Sequence, residues 1–325
     1  MAAQPRVLLT TPWPTRAVEA MREHFEVDIH DGPLPMPEAK WLDAVQEYDA
    51  IAPTVIDQIP AAAYHGAQNR TKILGNFGVG YNHIDMAAAN TGGVVVSNTP
   101  GVLTDATADQ AVGLMLAVAR GISLGDWKIR AGQWKGWNPT DSLGTHVTGA
   151  TLGIIGFGRI GQAMAKRCHF GFDMPVVFHN RSKIDPALAQ ALGAKQLDSM
   201  DDVLSAADFV SLHCPGGGGN RHLMNADRFK AMKPSAFLIN TARGDIVDEA
   251  ALVHALKSGE LAGAGLDVFE DEPRVHPELP KLLNCVLNPH LGSATESTRT
   301  DMGLMVFRNL LAFFNGQPLP NAVTQ

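Results

Sequence analysis

Short apolar runs and segments of helical period alternate along the chain from end to end, the pattern of parallel sheets assembled from strand–helix–strand units. In the first hundred residues the candidate strands are Val7–Leu9, Ala50–Ala52, Ile73–Leu74 and Val94–Ser97, with helical patterns at Arg16–Phe25, Glu38–Val45 and Ile84–Asn90. A second series places strands at Thr151–Ile155, Val176–Phe178, Phe209–Leu212, Phe237–Asn240, Ala264–Val268 and Val286–Leu287. Several are almost continuously apolar, as strands covered on both faces are. Asp105–Arg120 is apolar on nearly every face, with Ala111, Leu114, Met115 and Val118 at helical spacing. A helix buried all round, passing between two domains, is expected there, capped by Thr104 or Asp105 and followed by Gly121. Thr295–Phe314 is again helical. With the second sheet ending near Leu287, this last helix is expected to return to the first domain.

The length of 325 residues fits two domains better than one core. A formal charge of −7 leaves no basic stripe for nucleic acid. No run reaches the roughly 18 apolar residues of a membrane helix. Val7-Leu8-Leu9 is too short for a signal-peptide core and reads as a first strand. Cys168, Cys214 and Cys285 make neither an even framework nor a C-x-x-C pair, so packing thiols in a reducing cytoplasm are expected and no metal site is suggested. Gly216–Gly219 reads as a loop tip.

Gly156-Phe157-Gly158-Arg159-Ile160-Gly161 is a G-x-G-x-x-G that follows an apolar strand and opens the helical run Ile160–Cys168. Gly156 permits the tight turn, Gly158 lets the backbone approach a diphosphate, and Gly161 allows close helix–strand packing. The helix N-terminus then attracts the anion through its free N–H groups and dipole. About 20 residues on, where NAD enzymes carry an acid for the ribose hydroxyls, the chain reads Asn180-Arg181-Ser182. A carboxylate there would repel a 2′-phosphate, whereas Arg and Ser can hydrogen-bond it. NADP is therefore the expected cofactor, with NAD as the alternative. The plain reading of Arg181 is a solvated loop residue.

Three segments at strand ends of the second series hold further candidates: Asn240-Thr241-Ala242-Arg243-Gly244, Gly265 to Pro273, and Asn288-Pro289-His290-Leu291-Gly292-Ser293. Arg can grip a carboxylate with two parallel bonds. His exchanges a proton near neutral pH, and a neighbouring carboxylate orients it and favours its charged form. Singly, each has an ordinary reading: a surface charge, a Glu-Pro turn, a histidine satisfying a carbonyl. Together, at successive strand ends beside a dinucleotide turn, they make a set for reducing a 2-oxo acid.

These motifs, with Ser97-Asn98-Thr99-Pro100-Gly101, resemble those of the D-isomer-specific 2-hydroxyacid dehydrogenase family, most closely its glyoxylate/hydroxypyruvate reductase branch. The resemblance covers almost the whole chain. It implies an α/β fold of two doubly wound parallel sheets, with a Rossmann dinucleotide-binding domain (100–291) inserted in a flavodoxin-like substrate domain (1–99 and 292–325). It implies Arg243 as the group that holds the substrate carboxylate, His290 as acid/base and Glu272 as its partner. Backbone N–H groups of Val79 and Gly80 would bind the substrate carboxylate. Thr107, His213, Cys214, Pro215, Thr241, Ala242, Asp267 and Gly292 would line the cofactor, together with Arg243, His290 and the motif residues above.

The resemblance also implies a homodimer in which Trp137, near Trp134, reaches the partner's substrate pocket. Ordinary packing is the alternative for that tryptophan. Related families fit less well. Formate dehydrogenase has Gln at the Glu272 position, long phosphoglycerate dehydrogenases add C-terminal domains and prefer the acidic cofactor residue, and corepressors of this fold carry terminal tails.

Overall fold

A computed structural model describes residues 4–66 and 69–323. The chain forms two compact units, Met1–Leu103 with Ser293–Gln325, and Thr104–Gly292.

The first unit is built on five parallel strands, β1 (Arg6–Leu9), β2 (Glu26–Ile29), β3 (Ala50–Ala52), β4 (Ile73–Gly75) and β5 (Val95–Ser97), in the order β2-β1-β3-β4-β5. This is the doubly wound order of flavodoxin-like sheets. Alternation along each strand sends side chains to opposite faces. Leu8, Ile51 and Leu74 join a core with Trp41 and Tyr64, while Val7, Leu9, Ala50, Ala52 and Ile73 join another with Val306 and Leu310. Val306 and Leu310 belong to the helix Glu296–Phe314. A Cβ on Gly75 would come within 2.7 Å of Val306 Cγ1, so a glycine in β4 is what lets that helix lie so close. Each such fully buried side chain contributes roughly 1.5–3 kcal/mol.

The second unit carries seven parallel strands: β6 (Leu152–Ile155), β7 (Val176–His179), β8 (Ala194–Gln196), β9 (Phe209–Leu212), β10 (Phe237–Asn240), β11 (Gly263–Leu266) and β12 (Cys285–Leu287). Their order is β12-β11-β10-β9-β6-β7-β8. The winding direction reverses between β6 and β9. At such a switch point the flanking loops diverge and leave a crevice beyond the carboxyl ends of the strands.

The helix Thr104–Ala119 packs on this sheet through Ala111, Leu114 and Met115. It is not buried all round, as its composition had suggested. Asp105, Asp109 and Gly113, one stripe of a 3.6-residue period, face outward. Arg167 pairs with both aspartates, at 2.9 and 2.6 Å. The polar positions were the better guide to its orientation. The next helix, Ile122–Arg130, buries none of its residues. Among the described residues no helix is long and apolar enough to cross a membrane.

Candidate active site

The glycine motif forms the turn from β6 into the helix Arg159–Phe172. Gly156 has φ +95°, and a Cβ there would lie 2.6 Å from the Cys214 nitrogen, so backbone conformation and close approach both demand glycine. A Cβ on Gly161 would meet the Gly156 carbonyl oxygen, which fixes helix against strand. Gly158 differs: it is exposed and a Cβ there would meet nothing within 4 Å. That open space lies at a helix N-cap with no side-chain capping bond. Uncapped N–H groups facing open space suit a diphosphate. Phe157 is the anchor of the turn. It is buried and stacked on Phe178 of β7, ring centres 3.8 Å apart.

Asn180 bonds inward: its Oδ1 accepts the Phe157 N–H (3.2 Å) and its Nδ2 donates to Ser182 Oγ (2.9 Å). Arg181 and Ser182 are left exposed beside the turn. Gln196, at the end of β8, braces this loop. It accepts the Ile184 N–H at 3.1 Å and donates to the Asn180 and Ser182 carbonyls, both at 3.2 Å. Burial pushes the His213 imidazole down to about 4, so it is neutral near pH 7. Burial pushes the Cys214 thiol up to about 11. Pro215 is exposed and Arg159 is exposed, with Ile160 half-buried between turn and helix.

At the ends of β10, β11 and β12 the chain brings Arg243, Glu272 and His290 together. His290 Nδ1 donates to Glu272 Oε2 at 2.8 Å, and the Phe269 N–H donates to Oε1 at 3.0 Å. Burial would raise the Glu272 carboxyl, but the His290 hydrogen bond and charge, the Phe269 N–H and Arg243 together hold it below its ordinary value. Burial lowers the Arg243 guanidinium, and the charges of Glu272 and Asp245 oppose that.

Each of these side chains stands on a turn fixed by a buried polar group. Asn240, wholly buried, accepts the Ala242 N–H (3.0 Å) and donates to the Arg243 carbonyl (2.8 Å). Asp267, 1% exposed, accepts the Leu291 and Gly292 N–H groups, one on each oxygen, both at 2.7 Å. The His290 N–H donates to the Asp267 carbonyl at 2.8 Å. These bonds hold His290 at φ +55°, a conformation that side chains other than glycine rarely adopt. A Cβ on Gly292 would touch Asp267 and Thr107, which brings Thr107, itself buried, to the His290 turn. A Cβ on Gly244 would overlap the Phe269 carbonyl, so the Arg243 turn rests on the loop that carries Glu272.

Thr241 is buried and Ala242 half-buried. Gly216 is not a bare loop tip: a Cβ there would lie 2.8 Å from Arg243 Cβ, and the neighbouring Gly217 N–H donates to Asp245 Oδ2 at 2.7 Å. Gly216 is small because the Arg243 stem lies against it, whereas a Cβ on Gly218 or Gly219 would meet nothing within 4 Å.

In the first unit, Asn76 Nδ2 donates to the Gly78 and Gly80 carbonyls (3.0 and 3.1 Å), and Asn98 Nδ2 to the Val79 carbonyl (2.8 Å). The carbonyls are thereby committed, whereas the Val79 and Gly80 N–H groups bond no acceptor among the described residues. Trp134 and Trp137 are 63% and 84% exposed. The residues that motif reading missed are the braces Asn76, Asn98, Asn240, Asp245 and Gln196. Asn240 and Asn98 both stood within quoted motifs, which was the available signal.

Comparison with known proteins identifies the family. The family described as D-isomer specific 2-hydroxyacid dehydrogenase, NAD binding domain, matches residues 112–292. Glyoxylate reductases of Thermococcus litoralis and Thermococcus onnurineus are 43% and 44% identical, each over 99% of this chain and over 97% and 96% of the relative. The NADPH-dependent glyoxylate/hydroxypyruvate reductase of Sinorhizobium meliloti, solved with NADP and malonate, superposes with a TM-score of 0.86 at 34% identity, covering 99% of this chain and 97% of that one. The chain belongs to the D-isomer-specific 2-hydroxyacid dehydrogenase family. It is an NAD(P)-dependent oxidoreductase of 2-hydroxy acids, with a nicotinamide dinucleotide as cofactor.

The first two glycines of the turn differ in a testable way. Gly158→Val should leave thermal stability within about 0.5 kcal/mol, as an exposed change does, yet weaken dinucleotide binding by roughly tenfold or more through obstruction of the diphosphate. Gly156→Val should lower both. Melting curves and fluorescence titration with the dinucleotide read the two effects separately, and parallel losses in both variants would contradict the assignment of open space at Gly158.

Proposed function

We propose that the protein reduces glyoxylate or hydroxypyruvate to the D-2-hydroxy acid, with NADPH preferred and NADH as the alternative donor. The observation that carries this is the 2.8 Å His290–Glu272 pair with Arg243 beside it, at the strand ends of the unit that holds the glycine turn. The substrate class follows the printed activities of the relatives. Thr104–Gly292 is the cofactor-binding unit and the other the substrate-binding unit.

Arg243 holds the substrate carboxylate and polarises its carbonyl, and the Val79 and Gly80 N–H groups are the donors that the substrate-binding unit offers a carboxylate. Glu272 fixes the proton on His290 Nδ1, which leaves Nε2 to protonate the developing alkoxide. The bound nicotinamide supplies the hydride. Thr107, Asp267, Gly292 and the Asn240–Arg243 turn border the cofactor's reactive end, and His213, Cys214 and Pro215 its adenosine. Arg181 and Ser182, held by Asn180 and Gln196, take the 2′-phosphate.

We assign a two-fold dimer to the segment that exposes Trp127, Ile129, Trp134, Trp137 and Leu143, between 49% and 84% each. An apolar patch of this kind marks an association surface. Trp137 would complete a substrate pocket across that interface. Cysteines that stay free, their thiols raised by burial, fit a cytoplasmic location.

Steady-state kcat/KM for glyoxylate, hydroxypyruvate, pyruvate and phenylpyruvate with both cofactors tests the reading. Glyoxylate or hydroxypyruvate with NADPH should lead, and no turnover of any of the four would end it. Arg181→Ala should weaken NADPH by roughly tenfold to a hundredfold, the worth of one charge-assisted bond, and leave NADH little changed. Equal loss for both cofactors would contradict the 2′-phosphate assignment.

The acid/base pair gives a pH prediction. Glu272 lies below its ordinary carboxylate range, so it is ionised through neutral pH and sets a negative charge against the imidazole of His290. Reduction consumes a proton from His290 and falls off as pH rises. Glu272→Gln removes the neighbouring charge, so the alkaline fall-off should move to lower pH. His290→Ala should lower kcat by about 100-fold or more. A Glu272→Gln profile superimposable on the wild type would contradict the pairing.

A further inference from the structure

The loop that carries Glu272 lies at the surface. Asp271, Pro273 and Arg274 are exposed, and the Asp271–Arg274 ion pair is open to water. Exposed pairs of this kind hold little. Yet the His290 bond needs Glu272 fixed, because a misplacement of even an ångström at a reacting centre is costly.

Two anchors flank the loop. On the outside, Glu270 accepts from Arg221 and meets His222 Nε2 at 2.7 Å. On the inside, Glu249 accepts the Glu270 N–H on Oε1 at 2.8 Å and the His276 N–H on Oε2 at 3.3 Å. Glu249 is 7% exposed and is the first residue of the helix Glu249–Ser258. Its carboxylate therefore grips the backbone two residues before Glu272 and four residues after it, one oxygen on each side. Among the described residues no lysine or arginine pairs with it. The charged or titratable groups near it are Glu270, His276 and Cys285. Removing a carboxylate from water without a cation is costly unless N–H donors compensate, and here the compensating donors are those of the catalytic loop itself. The arrangement parallels Asp267, whose two oxygens hold the Leu291 and Gly292 N–H groups of the His290 turn.

We infer that Glu249 is a positioning residue for the reaction: it clamps both ends of the Glu272 loop and so keeps Glu272 in register with His290. The inference rests on the acid/base reading above. It explains why a carboxylate stands there. A glutamine has one acceptor oxygen, so it can satisfy one N–H and must turn its own amide donors toward the other.

The experiment compares Glu249→Gln, Glu272→Gln and the double variant, with the 2-oxo acid of highest kcat/KM and NADPH. Glu249→Gln should lower kcat by roughly tenfold or more. It should also move the alkaline fall-off of reduction to lower pH, in the direction of Glu272→Gln, with the dinucleotide Kd from fluorescence titration unchanged. In the double variant it should add no further pH shift, because it acts through Glu272. A purely structural role would lower the melting temperature and leave the pH profile where it was, and that result overturns the inference. If Glu272→Gln itself leaves the profile unmoved, the acid/base reading fails instead, so the two failures are distinguishable. Should Glu249→Gln not fold, Glu249→Asp, which keeps the charge one methylene short, carries the same comparison, with a smaller shift expected and an unshifted profile again decisive against the clamp.

Discussion

A 2.8 Å hydrogen bond between His290 Nδ1 and Glu272 Oε2 joins two surface turns that are 18 residues apart in sequence, and the geometry around it follows from the need to hold both still. Neither turn is held by apolar packing alone. His290 sits at a positive φ, which costs of order 1–3 kcal/mol for a side chain of this kind and persists only where the surroundings over-determine it. Asp267 supplies that determination with three bonds to the turn, two from its carboxylate and one from its carbonyl. Buried carboxylates bonded to backbone N–H groups suit this role, since each oxygen forms a short charge-assisted bond of defined direction. The same physics holds the Glu272 loop through Phe269 and Glu249, while Gly244 lets the Arg243 turn rest on that loop.

The sheets were legible because their inner strands are nearly continuous apolar runs, and β1, β3, β4 and β9–β11 fall where those runs are. β2 and β8 gave no such signal. Glu26-Val27-Asp28-Ile29 and Ala194-Lys195-Gln196 are edge strands, and edges carry charged and polar residues that discourage further pairing. The helix Ile122–Arg130 was missed for a related reason: none of its residues is buried in the chain, so no core-facing stripe marks it. The helix Thr104–Ala119 erred the other way. Its small apolar residues suggested burial on all sides, and only Asp105, Asp109 and Gly113 betray the outward face.

At the candidate site, what could be read was what a motif holds within a few residues: the glycine turn, Arg243, Glu272 and His290. The supporting groups whose bonds span the sequence were not readable. Glu249 reaches Glu270 and His276, 21 and 27 residues on, and Asp267 reaches Leu291 and Gly292, 24 and 25 residues on. Nothing local in Asp248-Glu249 distinguishes a clamp from an ordinary acidic helix start. Gln196 likewise reads as a polar strand residue until β8 is paired beside β7, where its amide meets the loop of Asn180 and Ser182. The glycines were legible as a motif but not in their separate duties. Gly156 and Gly161 are filled against backbone, and Gly158 alone opens on free space.

The central claim is that Glu272 fixes the His290 proton on Nδ1, leaving Nε2 as the atom that faces the reaction. Nitrogen-15 NMR of the histidine-labelled protein, with His290 assigned by its loss in His290→Ala, measures this directly, because the two ring nitrogens of a neutral imidazole differ according to which bears the proton. Above the pH at which His290 loses its charge, the account predicts the Nδ1–H tautomer, converted toward a mixture in Glu272→Gln. A wild-type His290 that is neutral with its proton mainly on Nε2 would contradict it.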